Sequence, residues 1–282
     1  MGRVALITGC SSGIGLCTAI DLARAGYSVV ATLRNLDKRE ALEERAKQEG
    51  VDLEVRALDV AQEDSIRECV EEVQTDHGAI DVLVNNAGFG MLGSVEQLSS
   101  ETVRHVMETN FFGVWNMTAA VLPKMRERRK GHIITVTSVG GLLGQPFNDS
   151  YCAAKFAVEG MMESLAPVAG ALGVQVSMVE PGPVHTEFVS STREASVPVL
   201  TSDIEGYGAL VARYAESIGG VFEEHGQASE EIAKLITQIA GTEKPHLRYT
   251  TSDYVRALVG HKYVDPTGDT IVKLFTARLT GN

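Results

Sequence analysis

The chain has 282 residues, 44% of them hydrophobic and 22% charged, enough apolar chain to close one large core without disulfides or metals holding it together. A net charge of −12 and a pI near 5.1 argue against nucleic acid and anionic membranes as partners, so a phosphate ligand has to be held by local geometry. No apolar run approaches the ~18 residues of a membrane span, and Met1-Gly2-Arg3 enters a strand-like run directly, so a cytoplasmic protein with no membrane span is expected.

From the N-terminus, the β-branched run Arg3 to Thr8 breaks at Gly9-Cys10-Ser11-Ser12-Gly13-Ile14-Gly15, and a helical pattern with Ile14, Ile20, Leu22 and Ala23 follows. In such a turn, glycines let backbone approach a ligand closely, and free amides at the helix start favour an anion such as a pyrophosphate. The spacing is not that of a Walker A loop, which ends in Gly-Lys-Ser or Gly-Lys-Thr. The second strand, Ser28 to Leu33, ends at Arg34-Asn35-Leu36-Asp37. An acidic residue about 20 positions after the glycine turn suits the ribose hydroxyls of NAD, whereas an arginine suits the extra phosphate of NADP. Arg34 comes first, so NADP(H) is favoured, and Asp37 keeps NAD(H) open.

A helix from Lys38 to Glu49 stops at Gly50, and a strand from Leu53 to Leu58 runs into Asp59-Val60. Ser65 to His77 is helical, with Ile66, Val70 and Val73 on one face, and the apolar strand Ile80 to Val84 ends in Asn85-Asn86-Ala87-Gly88. This alternation predicts an α/β fold with a doubly wound parallel sheet, whose ligands gather at the carboxyl ends of the strands. The glycine turn, Arg34, Asp59 and Asn86 then share one rim.

Ser99 or Ser100 caps a long helix from about Glu101 to Arg129. Asn110, in its middle, is either a helix-bending or water-binding residue or part of a site. The Lys124 to Lys130 cluster reads as a solvated helix end. The strand from His132 to Ser138 places a hydroxyl at its carboxyl end, and no Gly-x-Ser-x-Gly elbow surrounds it, so Ser138 suits a neutral hydrogen-bond donor better than a nucleophile.

A glycine-rich loop then delivers the chain to Tyr151-Cys152-Ala153-Ala154-Lys155, which on a helix sets a phenol and an ammonium one turn apart on one face. The pair either lines a helix surface or forms a proton switch. A lysine charge roughly 6 Å away at an effective dielectric near 20 contributes about 2.8 kcal/mol, lowering Tyr151 by about 2 units from ~10. Cys10, Cys17, Cys69 and Cys152 have no paired spacing, which argues for reduced thiols and against zinc. His185, His225 and His261 show no ligand spacing, so no metal is expected. Glycosylation patterns at Asn116 and Asn148 fall in or beside segments that must pack.

Taken together, Thr8 to Gly15, Asn85 to Gly88, Ser138 and Tyr151 to Lys155 resemble the short-chain dehydrogenase/reductase family over about residues 3 to 190. The resemblance implies a single-domain Rossmann-type sheet with helices on both faces and a helical substrate lid. It implies an oxidoreductase in which Tyr151 is the general acid/base, Ser138 orients the substrate oxygen, and Lys155 binds the nicotinamide ribose and lowers the tyrosine. Asn110 would hold a water that continues the proton relay. The loop of Gly9, Ser11, Ser12, Gly13, Ile14 and Gly15 would cradle the pyrophosphate, Asp59 and Val60 the adenine, and Asn86, Ala87 and Gly88 the adjoining ribose. Pro181, Gly182, Val184 and Thr186 are similar to the family's nicotinamide-positioning loop. A homodimer or homotetramer is implied as well.

Ser138 to Gly160, Pro181 to Thr186, Leu33-Arg34 and Leu247-Arg248-Tyr249 resemble the 17β-hydroxysteroid dehydrogenase type 1 and photoreceptor retinol dehydrogenase group. That implies a hydrophobic ketone, aldehyde or alcohol, steroid- or retinoid-like. The chain departs at Asp203-Ile204-Glu205, where the steroid branch has a histidine after Asp-Ile. Residues 187–225 would be a mobile lid, with Val189, Val197, Val199, Leu200, Tyr207 and Leu210 lining an apolar cleft. Residues 226–282 would carry a helix from Ser229 to Ala240, a last strand from His246 to Thr250, and a tail from Tyr254 that completes the substrate wall or a subunit contact. Two other expectations stay open: a reductase of smaller carbonyls, and an NADPH-binding regulator without turnover.

Overall fold

Runs of aliphatic and β-branched residues bounded by glycine or asparagine form the strands. In the computed structural model, which describes residues 2–202, 204–265, 267, 270, 273–274 and 276–277, these are β1 (Val4–Thr8), β2 (Ser28–Leu33), β3 (Glu54–Ala57), β4 (Val82–Asn85), β5 (Gly131–Val136), β6 (Val174–Glu180) and β9 (Arg248–Thr250). They make one sheet in the order β3-β2-β1-β4-β5-β6-β9, parallel throughout. All carboxyl ends therefore lie on one rim, and the order reverses between β1 and β4, the place where such sheets open a crevice. A two-stranded ribbon of β7 (Val184–His185) and β8 (Gln227–Ala228) lies beside it.

Because helices cover both faces, the central strands are apolar on both sides. Leu6, Leu83 and Ile133 pack on one face against α3 (Glu63–His77), α5 (Gly113–Arg128) and α6 (Asp149–Ala171) through Val73, Met117, Val121 and Met162. Their neighbours Ile7, Val84 and Ile134 face α1 (Gly13–Arg24), α2 (Glu40–Glu49) and α9 (Ser229–Gly241) through Leu22, Leu42 and Ile236. Residues 187–225 form two helices, α7 (Glu187–Leu200) and α8 (Tyr207–His225), and α10 (Asp253–Val264) follows β9. No helix among the described residues is long and apolar enough to cross a membrane. Asp203 and much of the tail beyond 265 lie outside the described residues.

One element departs from expectation. The single helix expected from Glu101 to Arg129 is α4 (Ser100–Met107), one π turn at Glu108–Phe112, and α5. Ser99 is its cap, accepting from the Thr102 amide. The π turn accommodates an extra residue and turns the fully buried Asn110 inward. There its Oδ1 accepts from the Phe89 amide at 3.0 Å and its Nδ2 donates to the Phe89 carbonyl at 2.8 Å.

Candidate active site

The rim is assembled first from backbone. Gly9 and Gly13 have φ of +74° and +56°, a region that costs a residue with a Cβ. A Cβ on Gly15 would lie 2.2 Å from the Gly9 carbonyl oxygen and 2.4 Å from Asn86 Nδ2, so only glycine lets the turn close. Asn86 Nδ2 donates to the carbonyls of Thr8 (2.9 Å) and Gly9 (3.0 Å). In return Thr8 Oγ1 accepts from the amides of Asn86 (3.0 Å) and Ala87 (2.9 Å). These four bonds bolt the loop after β1 to the loop after β4. Ser12 is the N-cap of α1, yet its side chain makes no capping bond, which leaves the first amides of the helix for an anion.

The other expected cofactor residues fall on the same rim, with different exposure. Arg34 is exposed at the end of β2 and, among the described residues, makes no ion pair. Asp59 accepts from the Ala61 amide at 3.0 Å, and Val60 sits below it, tight against Gly113. Pro181 accepts from the Val139 amide at 2.8 Å. Gly182 leaves room for Val255, and Thr186 packs against Gly13, so the loop after β6 closes onto the glycine turn. Val184 is buried in the core, which leaves its backbone rather than its side chain to meet a ligand.

On the far side of the crevice the groups are side chains. Ser138 Oγ accepts from the Gly140 amide at 3.0 Å and lies with the Tyr151 ring against Gly140, whose added Cβ would stand 3.4 Å and 3.3 Å from them. Lys155 is 5% exposed, its Nζ donating to the Val136 carbonyl at 3.0 Å and lying 5.8 Å from the Tyr151 ring centroid. A Cβ on Gly88 would touch Asn110 Oδ1 at 2.8 Å and Lys155 Nζ at 3.9 Å. Asn110, Gly88, Lys155, Tyr151 and Ser138 thus form one continuous group.

Electrostatics overturn one expectation. Burial pushes the Tyr151 phenol up to about 12, opposed by the Ser138 hydroxyl. Burial also pushes Lys155 down to about 8, opposed by the charge of Glu159. Four-residue spacing supplies an attraction, but not the cost of removing both groups from water, and that cost wins. For the same reason the pair does not line a helix surface.

The helix α7 stands over this group, with the Phe188 ring 5.8 Å from that of Tyr151. It is tied down where Ser196 Oγ accepts from the Leu92 amide at 2.8 Å, and where Gln97 Nε2 donates to the Val199 carbonyl at 3.1 Å. Val197 does not line a cleft, being 50% exposed, whereas Tyr207 turns in, its ring 6.2 Å from that of Phe147. Two neighbours of this group, Phe188 and the buried Glu159, were given no role in the sequence reading, and Thr8 entered it only as part of the glycine-turn motif. Glu159 had a usable signal, since it lies four residues beyond Lys155 on the same helix face. Among the described residues no cluster of three or more metal-ligating side chains occurs.

Comparison with known proteins matches this geometry to a family. A short chain dehydrogenase family model matches residues 3–196. The chain is 42% identical over 279 residues to retinol dehydrogenase 8 of Bos taurus, covering 96% of this chain and 88% of that one. It is 40% identical over 286 residues to 17-beta-hydroxysteroid dehydrogenase type 1 of Homo sapiens, covering 99% and 86%. A solved alcohol dehydrogenase of the archaeon Thermococcus sibiricus, complexed with 5-hydroxy-NADP, superposes with a TM-score of 0.72 at 25% identity, covering 89% of this chain and 96% of that one. The chain therefore belongs to the short-chain dehydrogenase family and is an oxidoreductase acting on CH–OH groups.

Proposed function

We propose that the protein is an NADP(H)-dependent oxidoreductase for a hydrophobic carbonyl or alcohol of steroid or retinoid type. The observation that carries this reading is the group of half-buried Ser138 and Tyr151 and buried Lys155 beneath Phe188. The rim opposite it fits a dinucleotide: a glycine turn with no room for a Cβ, an uncapped helix start, and a loop that closes onto both. There Gly9, Ser11, Ser12, Gly13, Ile14 and Gly15 would hold the pyrophosphate, Asp59 and Val60 the adenine, and Asn86, Ala87 and Gly88 a ribose. Pro181, Gly182, Val184 and Thr186 would hold the nicotinamide. Arg34, exposed and without an ion pair among the described residues, suits the additional phosphate of NADP. The NADP analogue bound by the archaeal relative supports the same choice.

When bound, the reduced nicotinamide supplies a hydride, two electrons with one proton, to the carbonyl carbon. As the C=O π pair moves onto oxygen, Tyr151 gives its hydroxyl proton to that oxygen, and Ser138 Oγ donates a hydrogen bond to it. The phenolate left behind is stabilised by the Lys155 ammonium and reprotonated through Lys155 and a water held at Asn110. Oxidation reverses each transfer, with Tyr151 taking the alcohol proton. A phenol held near 12 keeps its proton at neutral pH, so in the oxidative direction the phenolate that would take the alcohol proton is scarce unless the positive charge of an oxidised cofactor lowers it.

The bulk of the substrate is read from the apolar cover of α7 and α8, Phe188 and Tyr207 included, and from the retinol and steroid relatives. A homo-oligomer in the cytoplasm completes the reading. Phe112 and Trp115, 42% and 51% exposed on one helical segment, suit burial against a second copy. The experiment is a panel of steroid, retinoid and small carbonyl compounds with NADPH and NADH. Turnover confined to small carbonyls would replace the substrate class, and tight NADPH binding without turnover of any compound would replace the enzyme by a sensor.

A further inference from the structure

The helix α6 carries a third buried charge. Tyr151, Lys155 and Glu159 follow at four-residue steps and so share one face. Lys155 and Glu159 are 5% and 4% exposed. A buried ammonium is costly unless an opposite charge compensates it, and the hydrogen bond that Lys155 makes goes to a neutral carbonyl, that of Val136. Gly141 closes the space over both residues, since a Cβ there would lie 3.0 Å from Glu159 Cγ and 3.1 Å from the Lys155 carbonyl oxygen.

Groups from every neighbouring element face Glu159. Arg248 of β9 donates from Nε to Glu159 Oε2 at 3.1 Å, stands 3.3 Å from Glu180 Oε1 of β6, and donates from Nη2 to Glu163 of α6 at 2.7 Å. Thr137, whose hydroxyl donates to the Val179 carbonyl at 3.2 Å, lies against the carboxylate, as do Lys155 of the same helix and the more distant Lys262 of α10. Among the described residues, Oε1 of both Glu159 and Glu180 accepts no hydrogen bond, an arrangement that is costly for two anions and is relieved when one keeps its proton. Burial raises the carboxyls of both Glu159 and Glu180; the charge of Glu159 adds to this at Glu180, which is pushed up to about 8, whereas Thr137, Arg248 and Lys155 oppose it at Glu159, so Glu180 is the one that keeps its proton more readily. Glu159 and Glu163 then balance Lys155 and Arg248 charge for charge.

We propose that Glu159 is a positioning residue: it is the buried counter-charge of Lys155, pinned by Arg248, which it shares with Glu180, and it extends the Tyr151–Lys155 switch by one helical turn. This rests on the proposed role of Lys155, but its test does not need that role. The Lys155 Nζ is titrated by NMR on lysine-labelled protein, without cofactor or substrate, in wild type, Glu159→Gln and Glu159→Asp, with circular dichroism and melting as folding controls. Without the anion, Lys155 loses its proton at lower pH: the expected shift in Glu159→Gln is about one unit downward, half of what an unscreened charge one turn away supplies. Glu159→Asp, which keeps the charge and retracts it by one methylene, is expected to shift less in the same direction. It decides the matter if Glu159→Gln does not fold. In an active enzyme, the alkaline limb of kcat moves down by the same amount, which loss of packing alone does not produce. An unchanged Lys155 titration in a folded variant overturns the proposal, whatever happens to activity. Absence of turnover with a shifted Lys155 overturns only the catalytic reading.

Discussion

The two sides of the crevice are built from different materials. Around β1 and β4 the work is done by backbone: amides at an uncapped helix start, and carbonyls held by Asn86 and Thr8. Around β5 and α6 it is done by side chains, the half-buried Tyr151 and the buried Lys155 and Glu159, whose protonation is shifted most by loss of water and then by neighbouring groups. Backbone amides do not titrate, so the first side offers a fixed field, whereas the second offers one that pH and neighbouring charge can move. On the proposed function, one side would bind the cofactor and the other would transfer protons.

Removing the phenol tests the division most severely. Tyr151→Phe is expected to lower kcat by 10²- to 10⁴-fold while leaving the NADPH dissociation constant, read by fluorescence, within a few-fold of wild type. A large loss of NADPH affinity would mean that the sides are not separable. Next comes Gly15→Ala, whose Cβ would meet the Gly9 carbonyl at 2.2 Å. An overpacking cost of roughly 1–3 kcal/mol is expected in chemical denaturation, together with weakened NADPH binding. Arg34→Asp is expected to reverse the cofactor preference by about tenfold or more, since a charge-assisted hydrogen bond contributes roughly 1.5–3 kcal/mol. An unchanged preference would move the phosphate site elsewhere. The smallest effect is in pH. Lys155 carries its charge below about 8 and loses it above, so reductive kcat at saturating substrate is expected to fall several-fold between pH 7.5 and 9. The NADPH dissociation constant is expected to hold better over the same range.

The backbone side was the more legible in the sequence. Strands such as Val4–Thr8 and Val82–Asn85 are short apolar runs stopped by glycine or asparagine, and their order alone implies a parallel sheet with its turns on one rim. Tyr151, Lys155 and Ser138 were legible as residue types and, by resemblance, as partners, but not in their energetics. Spacing along a helix reports which charges are near, and only the fold reports how much water has been removed. The Glu159–Arg248–Glu180 cluster was hidden for a related reason, because its members come from a helix and two strands 21 to 89 positions apart. The π turn was hidden because the apolar pattern through Val106 and Val114 continues smoothly across it.

That π turn has a consequence for how the chain tolerates insertion and deletion. An α-helix advances about 100° per residue, so the one surplus residue between α4 and α5 acts as a phase joint. Deleting a residue from Glu108–Phe112 would restore an unbroken helix in phase with α5, because the wider π turn takes up the surplus residue. Met117, Val121 and Met125, all fully buried, would keep their places in the core, while Asn110 would lose its position against Phe89. A length change of one is therefore absorbed at this turn, and its effect falls on the direction of Asn110 rather than on the packing of α5.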